Sequence, residues 1–339
     1  MGARQTTAVV VAAPGVPVGV VPVPVRDPGT GEVLLKMEAC GICHSDVFVA
    51  GLEKLPVTPL ILGHEGIGRV EEIGAEVKGI ARGDRVGITF LAASCGMCEL
   101  CFTGRERFCI KQRNFGFTVP GVLAGYGTVP VPQLFRVQEN LPAAEAAPLC
   151  CAGWTAYGAV RESGLQLGQT VALFGMGGLG HFAIQYARLR GLSVAAIDPS
   201  PAKLEVARSL GADVALISEN AGRTLQKQYG GLDGAIVLTA SVAAIHEAFK
   251  CLKRTGTLVL VGLSNQAFEL PVLDAVLRGI TIRGSYLGTR EDLEEVFRLA
   301  ASEAVHSHFE THTIEETPKL MERMRRGDLL RRAVVTFGD

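Results

Sequence analysis

Cys95-x2-Cys98-x2-Cys101-x7-Cys109 is the strongest chemical signal in the sequence. Four thiolates at such spacing can wrap one tetrahedral zinc and leave no coordination position open, which makes a structural site. A zinc ribbon on nucleic acid is the rival reading of the same cluster, because Arg105, Arg107, Lys111 and Arg113 flank it. A second group is scattered: Cys43-His44-Ser45-Asp46, then Gly63-His64-Glu65, then Cys150-Cys151. Two cysteines and a histidine drawn from such distant loops make a three-ligand zinc site, whose fourth position stays open to water or substrate.

Gly175-Met176-Gly177-Gly178-Leu179-Gly180 fits G-x-G-x-x-G, a weak pattern alone in a chain with 41 glycines. Its context strengthens it: an apolar strand before, a helix after, and Asp198 at the end of the next strand. Gly175 permits the tight turn, Gly177 lets the backbone approach a pyrophosphate, and Gly180 lets helix and strand pack closely. The diphosphate meets the positive end of the helix dipole. Asp198 accepts from both adenosine ribose hydroxyls and repels a 2'-phosphate, so NAD is expected over NADP.

These groups need two kinds of scaffold. Before residue 150 the pattern is short strands and glycine-rich turns. Val21-Pro22-Val23-Pro24-Val25 reads as an edge strand or a polyproline segment, since proline cannot donate to a ladder. Glu32 to Glu38 reads as a strand leading into the Cys40–Cys43 turn. Beyond residue 150, strands at Thr170–Phe174, Leu192–Ile197, Val214–Ile217, Ala235–Leu238 and Thr257–Val261 alternate with helices at Leu179–Arg190, Ala202–Leu210 and Val242–Leu252. That alternation implies parallel βαβ units. Helices at Arg290–Ala301 and Pro318–Arg326 and a strand at Ala333–Phe337 close the chain.

Composition agrees with a globular protein of two domains: 339 residues, 48% hydrophobic, 20% charged and a net charge of -1. So even a charge balance argues against bulk electrostatic binding of nucleic acid. The uncharged run from Ala8 to Val25 is too rich in proline to span a membrane, and no secretion signal stands out. Nine cysteines, an odd number and mostly clustered, point to metal ligation in a reducing cytoplasm rather than to disulfides.

The chain resembles the medium-chain, zinc-dependent alcohol dehydrogenases. The resemblance rests on Cys40-Gly-Ile-Cys43-His44-Ser45-Asp46, Gly63-His64-Glu65, the Cys95–Cys109 lobe, Cys151-Ala-Gly-x-Thr155, the glycine fingerprint with Asp198, Ile282-Arg-Gly-Ser-Tyr-Leu-Gly288 and the ending through Arg332. It implies a GroES-like β catalytic domain (1–147 and 286–339, zinc lobe about 91–112) with a Rossmann domain (148–285) inserted. It implies two zincs per subunit, NAD, and reversible hydride transfer between an alcohol and NAD+. The catalytic zinc ligands become Cys43, His64 and Cys151, which leaves Cys150, Cys40 and Cys251 as small buried hydrophobes. Glu65 approaches the metal during ligand exchange, and Asp46 orients the histidine. His44 and Arg332 hold the diphosphate, Lys203 touches the ribose, and Thr155, Gly178, Leu179 and Leu263 also contact the cofactor. Ser45 passes the hydroxyl proton on.

Two departures stand out. The family's relay ends at a histidine near position 48, where this chain has Phe48; Gly125 replaces an acidic or amide residue before Tyr126. Phe48, Phe90 and Trp154 match pocket-lining positions and favour primary, aromatic or medium-chain alcohols. An NADPH-dependent aldehyde reductase, a zinc-free enone reductase and a non-catalytic relative are the alternatives; Asp198 opposes the first, and the complete ligand set the other two. The resemblance also implies a homodimer or homotetramer, with sheet edges near Thr257 to Gly284 pairing.

Overall fold

The computed structural model describes residues 4–338. Two units form, Met1–Cys151 with Thr289–Asp339, and Ala152–Gly288. The buried 3-10 turn Ala147–Cys150 falls in the first of these units.

The first stretch builds β1 (Gln5–Val11), β2 (Gly19–Pro24), β3 (Glu32–Gly41), α1 (His44–Ala50), β4 (Leu60–Ile61), β5 (Glu65–Ile73), β6 (Arg85–Ile88), β7 (Leu91–Ala93), α2 (Glu99–Phe102), β8 (Arg113–Asn114), β9 (Tyr126–Pro130), β10 (Leu134–Arg136) and α3 (Ala143–Ala146). The second unit follows as α4 (Ala152–Glu162), β11 (Thr170–Phe174), α5 (Gly180–Leu189), β12 (Ser193–Asp198), α6 (Pro201–Ser209), β13 (Val214–Ile217), α7 (Ala221–Tyr229), β14 (Leu232–Val237), α8 (Val242–Cys251), β15 (Leu252–Leu260), α9 (Val272–Arg278) and β16 (Thr281–Gly284). The chain then returns as α10 (Arg290–Ala301), β17 (Phe309–His312), α11 (Thr317–Arg326) and β18 (Arg332–Thr336).

In the first unit β3 is the central strand, with β5, β9 and β18 all paired to it. Its Val33, Leu34, Leu35, Met37, Ala39 and Cys40 are buried, which matches a strand covered on both faces. The last stretch of chain completes this sheet: Gly41 faces Val334 on one side and Glu65 on the other. Strands from the early and the late stretches of the chain thereby meet beside the first metal-binding motif. The valine-proline segment is the edge strand β2, with Thr7 facing Pro22 and Gln5 facing Pro24. On an edge the missing proline donors cost nothing to a neighbouring strand.

The second unit holds a parallel sheet in the order β13-β12-β11-β14-β15-β16. This is the doubly wound arrangement of dinucleotide-binding domains, with the order reversing between β11 and β14. Phe174, Ile197, Leu225, Phe249 and Leu258 are among its core residues. The helices α7 and α9 escape the periodicity reading. The α7 residues Ala-Gly-Arg-Thr-Leu-Gln-Lys-Gln-Tyr are largely polar, and left-handed residues, Asn220 and Gly230, bound the helix at both ends. Ring contact also shapes the first unit away from the site, where Phe135 meets Phe297 at 4.7 Å between centroids.

Candidate active site

Cys43 is the N-cap of α1, a helix whose buried face carries Asp46, Val47 and Val49 while His44 and Phe48 face solvent. The Asp46 carboxylate does three things. Its Oδ2 accepts the Cys43 N–H at 2.8 Å, closing the helix start. Its Oδ1 accepts the Gly63 N–H at 3.1 Å and lies 3.5 Å from His64 Nδ1. One buried carboxylate therefore ties the first motif to the second and selects the ring nitrogen that points elsewhere.

That other nitrogen, His64 Nε2, is buried and has no hydrogen-bond partner among the described residues. A buried imidazole nitrogen without a partner is costly unless something outside the protein takes it. The ligand atoms of Cys43, His64, Glu65 and Cys151 all lie within 4.8 Å of one another. The Cys43 and Cys151 sulfurs are 3.9 Å apart. Two thiols, an imidazole held by a carboxylate and a nearby carboxylate are the donor set of an open zinc site. The electrostatics fit the same reading. The contact with Cys151 holds the Cys43 thiol well below its ordinary value, with His64 and Arg332 helping against burial. Cys151 is pushed well above, by Cys43 first and burial second. Burial alone would lower His64, but the charge of Asp46 and its hydrogen bond outweigh that and raise it. A thiol shifted down beside an imidazole shifted up is a place where a cation can displace a proton.

Beside these ligands Glu65 meets Arg332, whose Nη2 donates to both carboxylate oxygens at 2.5 Å. Both side chains are buried, Glu65 at 0% and Arg332 at 5% exposure. Burial pushes the Glu65 carboxyl up to about 8, opposed by the charge of Arg332. Spacing gave no hint of this pair, since 267 positions separate its members. The sheet register brings them together: Glu65 opens β5, Arg332 opens β18, and both strands flank the end of β3.

Ser45 Oγ lies 3.7 Å from the Cys43 sulfur. The Phe90 ring stands edge-on to the His64 ring, 5.0 Å between centroids at 77°. Phe48, on α1, is 44% exposed. Cys40 and Cys150 are wholly buried, and burial raises both thiols well above the ordinary range. Cys251 behaves likewise in the second unit. All three read as packed hydrophobes.

The lobe cysteines Cys95, Cys98, Cys101 and Cys109 also converge within 4.8 Å. Cys98 and Cys101 sulfurs are 3.5 Å apart, and Cys95 and Cys101 sulfurs 3.9 Å. The Cys95 thiol falls to about 6, chiefly through a backbone N–H at Met97. Among the described residues no fifth His, Cys or carboxylate is grouped with them, which suits a closed structural zinc. An ion pair at 2.8 Å between Glu106 and Arg290 fastens the lobe to α10.

In the second unit Gly175 adopts φ +100°, and its N–H donates to Ile197 O at 2.8 Å. A Cβ on Gly180 would collide with the Gly175 carbonyl oxygen. Gly177 differs: its φ is not left-handed and a Cβ there would meet no atom within 4 Å. Nothing in the protein demands glycine at 177, whereas a diphosphate seated on the turn would. Asp198 ends β12, buried at 5% exposure. Trp154 and Thr155 lie in the first turn of α4, and Thr155 Oγ1 is buried without a hydrogen-bond partner among the described residues. Lys203 lies on α6 and Leu263 is exposed beyond β15.

Two family models match the chain: an alcohol dehydrogenase GroES-like domain over residues 29–139, and a zinc-binding dehydrogenase domain over 178–302. An alcohol dehydrogenase from Geobacillus stearothermophilus is 43% identical over 90% of this chain and 91% of its own length. The crystal structure of the alcohol dehydrogenase from the archaeon Aeropyrum pernix is 28% identical, covers 98% of this chain and 100% of its own, and superposes with a TM-score of 0.91. The acetophenone reductase from Geotrichum candidum, solved with NAD, is 30% identical over 99% of both chains with a TM-score of 0.88.

Proposed function

Because this chain belongs to the zinc-binding alcohol dehydrogenase family, we propose that it interconverts a primary alcohol and its aldehyde with NAD+, using Cys43, His64 and Cys151 to hold the catalytic zinc. The observation that carries this reading is His64 Nε2, buried and unpartnered among the described residues, while Nδ1 faces Asp46. When bound, zinc would supply Lewis acidity toward an alcohol hydroxyl and NAD+ would supply the hydride acceptor.

The protein's own groups do the rest. Asp46 fixes the imidazole in the tautomer that leaves Nε2 free to ligate. Arg332 keeps the Glu65 carboxylate occupied beside the ligands, ready to be exchanged. Ser45, next to Cys43 Sγ, takes the hydroxyl proton and passes it on. His44 and Arg332 are the candidate diphosphate donors, Arg332 through its Nε, which has no partner among the described residues. Gly175, Gly177, Gly178, Leu179 and Gly180 form the diphosphate turn, Asp198 and Lys203 read the ribose, and Thr155 and Leu263 serve the rest of the cofactor. Phe90 against His64 and Phe48 on α1 make apolar walls, which favours aromatic or medium-chain substrates. The test is zinc content together with NADH formation from a panel of alcohols. Two zincs per chain and turnover of primary alcohols are expected; one zinc and no turnover would overturn the proposal.

Phe48 leaves α1 without a histidine three residues after Ser45, so the proton released by Ser45 goes to water. Ser45→Ala is therefore expected to slow turnover about a hundredfold. Phe48→His adds a group that accepts protons only when neutral, above about pH 6.5. Alcohol oxidation by this variant rises with pH through that value, where the parent enzyme is flat. An unchanged pH–rate profile sinks the relay argument.

We also propose a homo-oligomer, dimeric or tetrameric, in the reducing cytoplasm that nine free cysteines suit. The edge strand β16 is exposed along its whole length. Beside it in sequence, α9 shows solvent Val272, Leu273, Val276 and Leu277 at 64–74% exposure. An uncovered edge with an apolar helix face is a pairing surface. Leu273→Asp is expected to lower the mass measured by light scattering. Among the described residues no helix is long and apolar enough to cross a membrane.

A further inference from the structure

We propose that Asp198 is a positioning residue whose carboxylate clamps the glycine turn into its nucleotide-ready shape before any nucleotide arrives. Its Oδ2 accepts the Met176 N–H at 2.7 Å. Its Oδ1 accepts the Ser200 N–H at 2.9 Å. The preceding residue of the turn, Gly175, donates its N–H to Ile197 O at 2.8 Å. Two consecutive N–H groups of the turn are thus fastened to two consecutive residues at the end of β12. The Met176 bond is charge-assisted and buried, which makes it the stronger of these anchors.

Each carboxylate oxygen still has a lone pair to offer, so the clamp and ribose recognition use the same group without conflict. The two roles are nevertheless inseparable by mutation. Removing the negative charge relieves repulsion of a 2'-phosphate, but it also frees Met176 and loosens the turn that must hold the diphosphate. Preference for NAD over NADP is therefore built into the turn as well as into the charge.

The clamp is tested in nucleotide-free protein by amide hydrogen exchange on the parent, Asp198→Ala and Asp198→Asn. Asparagine keeps the volume but one acceptor oxygen only, so one of the two N–H groups loses its partner and faces an NH2. Met176 is expected to exchange about 10- to 100-fold faster in Asp198→Ala. Met176 or Ser200 should do so in Asp198→Asn, while amides of β11 stay protected and report that the unit is folded. Neither variant should bind NADP+ as tightly as the parent binds NAD+. Unchanged protection of Met176 and Ser200 in both variants overturns the proposal. So does an Asp198→Ala protein that binds NADP+ as tightly as the parent binds NAD+. The nucleotide arm rests on the reading of this turn as an NAD site; the exchange arm does not. A parent protein that fails to bind NAD+ would sink that reading, and the clamp would then be decided by exchange alone.

Discussion

Cys43→Ala is expected to lower kcat/KM for alcohol oxidation by about a thousandfold or more, and to reduce zinc from two ions per chain to one. Lewis-acid stabilisation by a bound metal is worth several kcal/mol, and each ~1.4 kcal/mol is tenfold in rate. The fold should survive, because the Cys43 N–H that Asp46 accepts at the start of α1 is kept by alanine. The nucleotide turn belongs to the other unit and does not include Cys43. NADH binding, followed by fluorescence titration, should therefore change less than about threefold. Substantial turnover in a variant that carries one zinc would remove Cys43 from the mechanism. Loss of NADH binding would mean that the substitution reached beyond the metal centre.

Glu65→Leu has the second large effect, on stability. It strands the Arg332 guanidinium, which is 5% exposed and cannot discharge itself. Breaking a buried ion pair from one side costs about 3–5 kcal/mol, which for a domain this size lowers the melting temperature on the order of 10 °C. Glu65→Gln keeps an acceptor of the same size and should cost clearly less. Combining Glu65→Leu with Arg332→Met removes both charges, so most of the lost stability should return. Such recovery is the mark of two residues acting as one unit. Additive losses in the double variant would show that Arg332 is satisfied by something other than Glu65. Calorimetry on the four proteins decides it.

Short-range patterns made much of this site legible. Cysteines with two residues between them can share a metal only if the chain turns back, so the Cys95–Cys109 lobe announces itself. The glycine fingerprint is readable for a similar reason: a strand, a turn and a helix over a dozen residues leave few alternatives. The valine-proline strand declared itself an edge, because proline cannot donate. The helix α7 is largely polar and buries only Ala221, Gly222 and Leu225, so no apolar run marked it and it went unread.

The sequence alone determined which side chains were available and which local turns present them: Cys43 at a helix cap, Gly177 in a turn, Asp198 at a strand end. The tertiary structure decided the pairings. It aimed Asp46 at both Gly63 N–H and His64, joined Glu65 to Arg332 across the end of β3, and gave the Asp198 carboxylate to Met176. Local spacing encodes dihedral angles, and those are settled by sterics within a few residues. Which buried charge meets which depends on strand register and on burying no polar group unpaired, and both are properties of the packed whole.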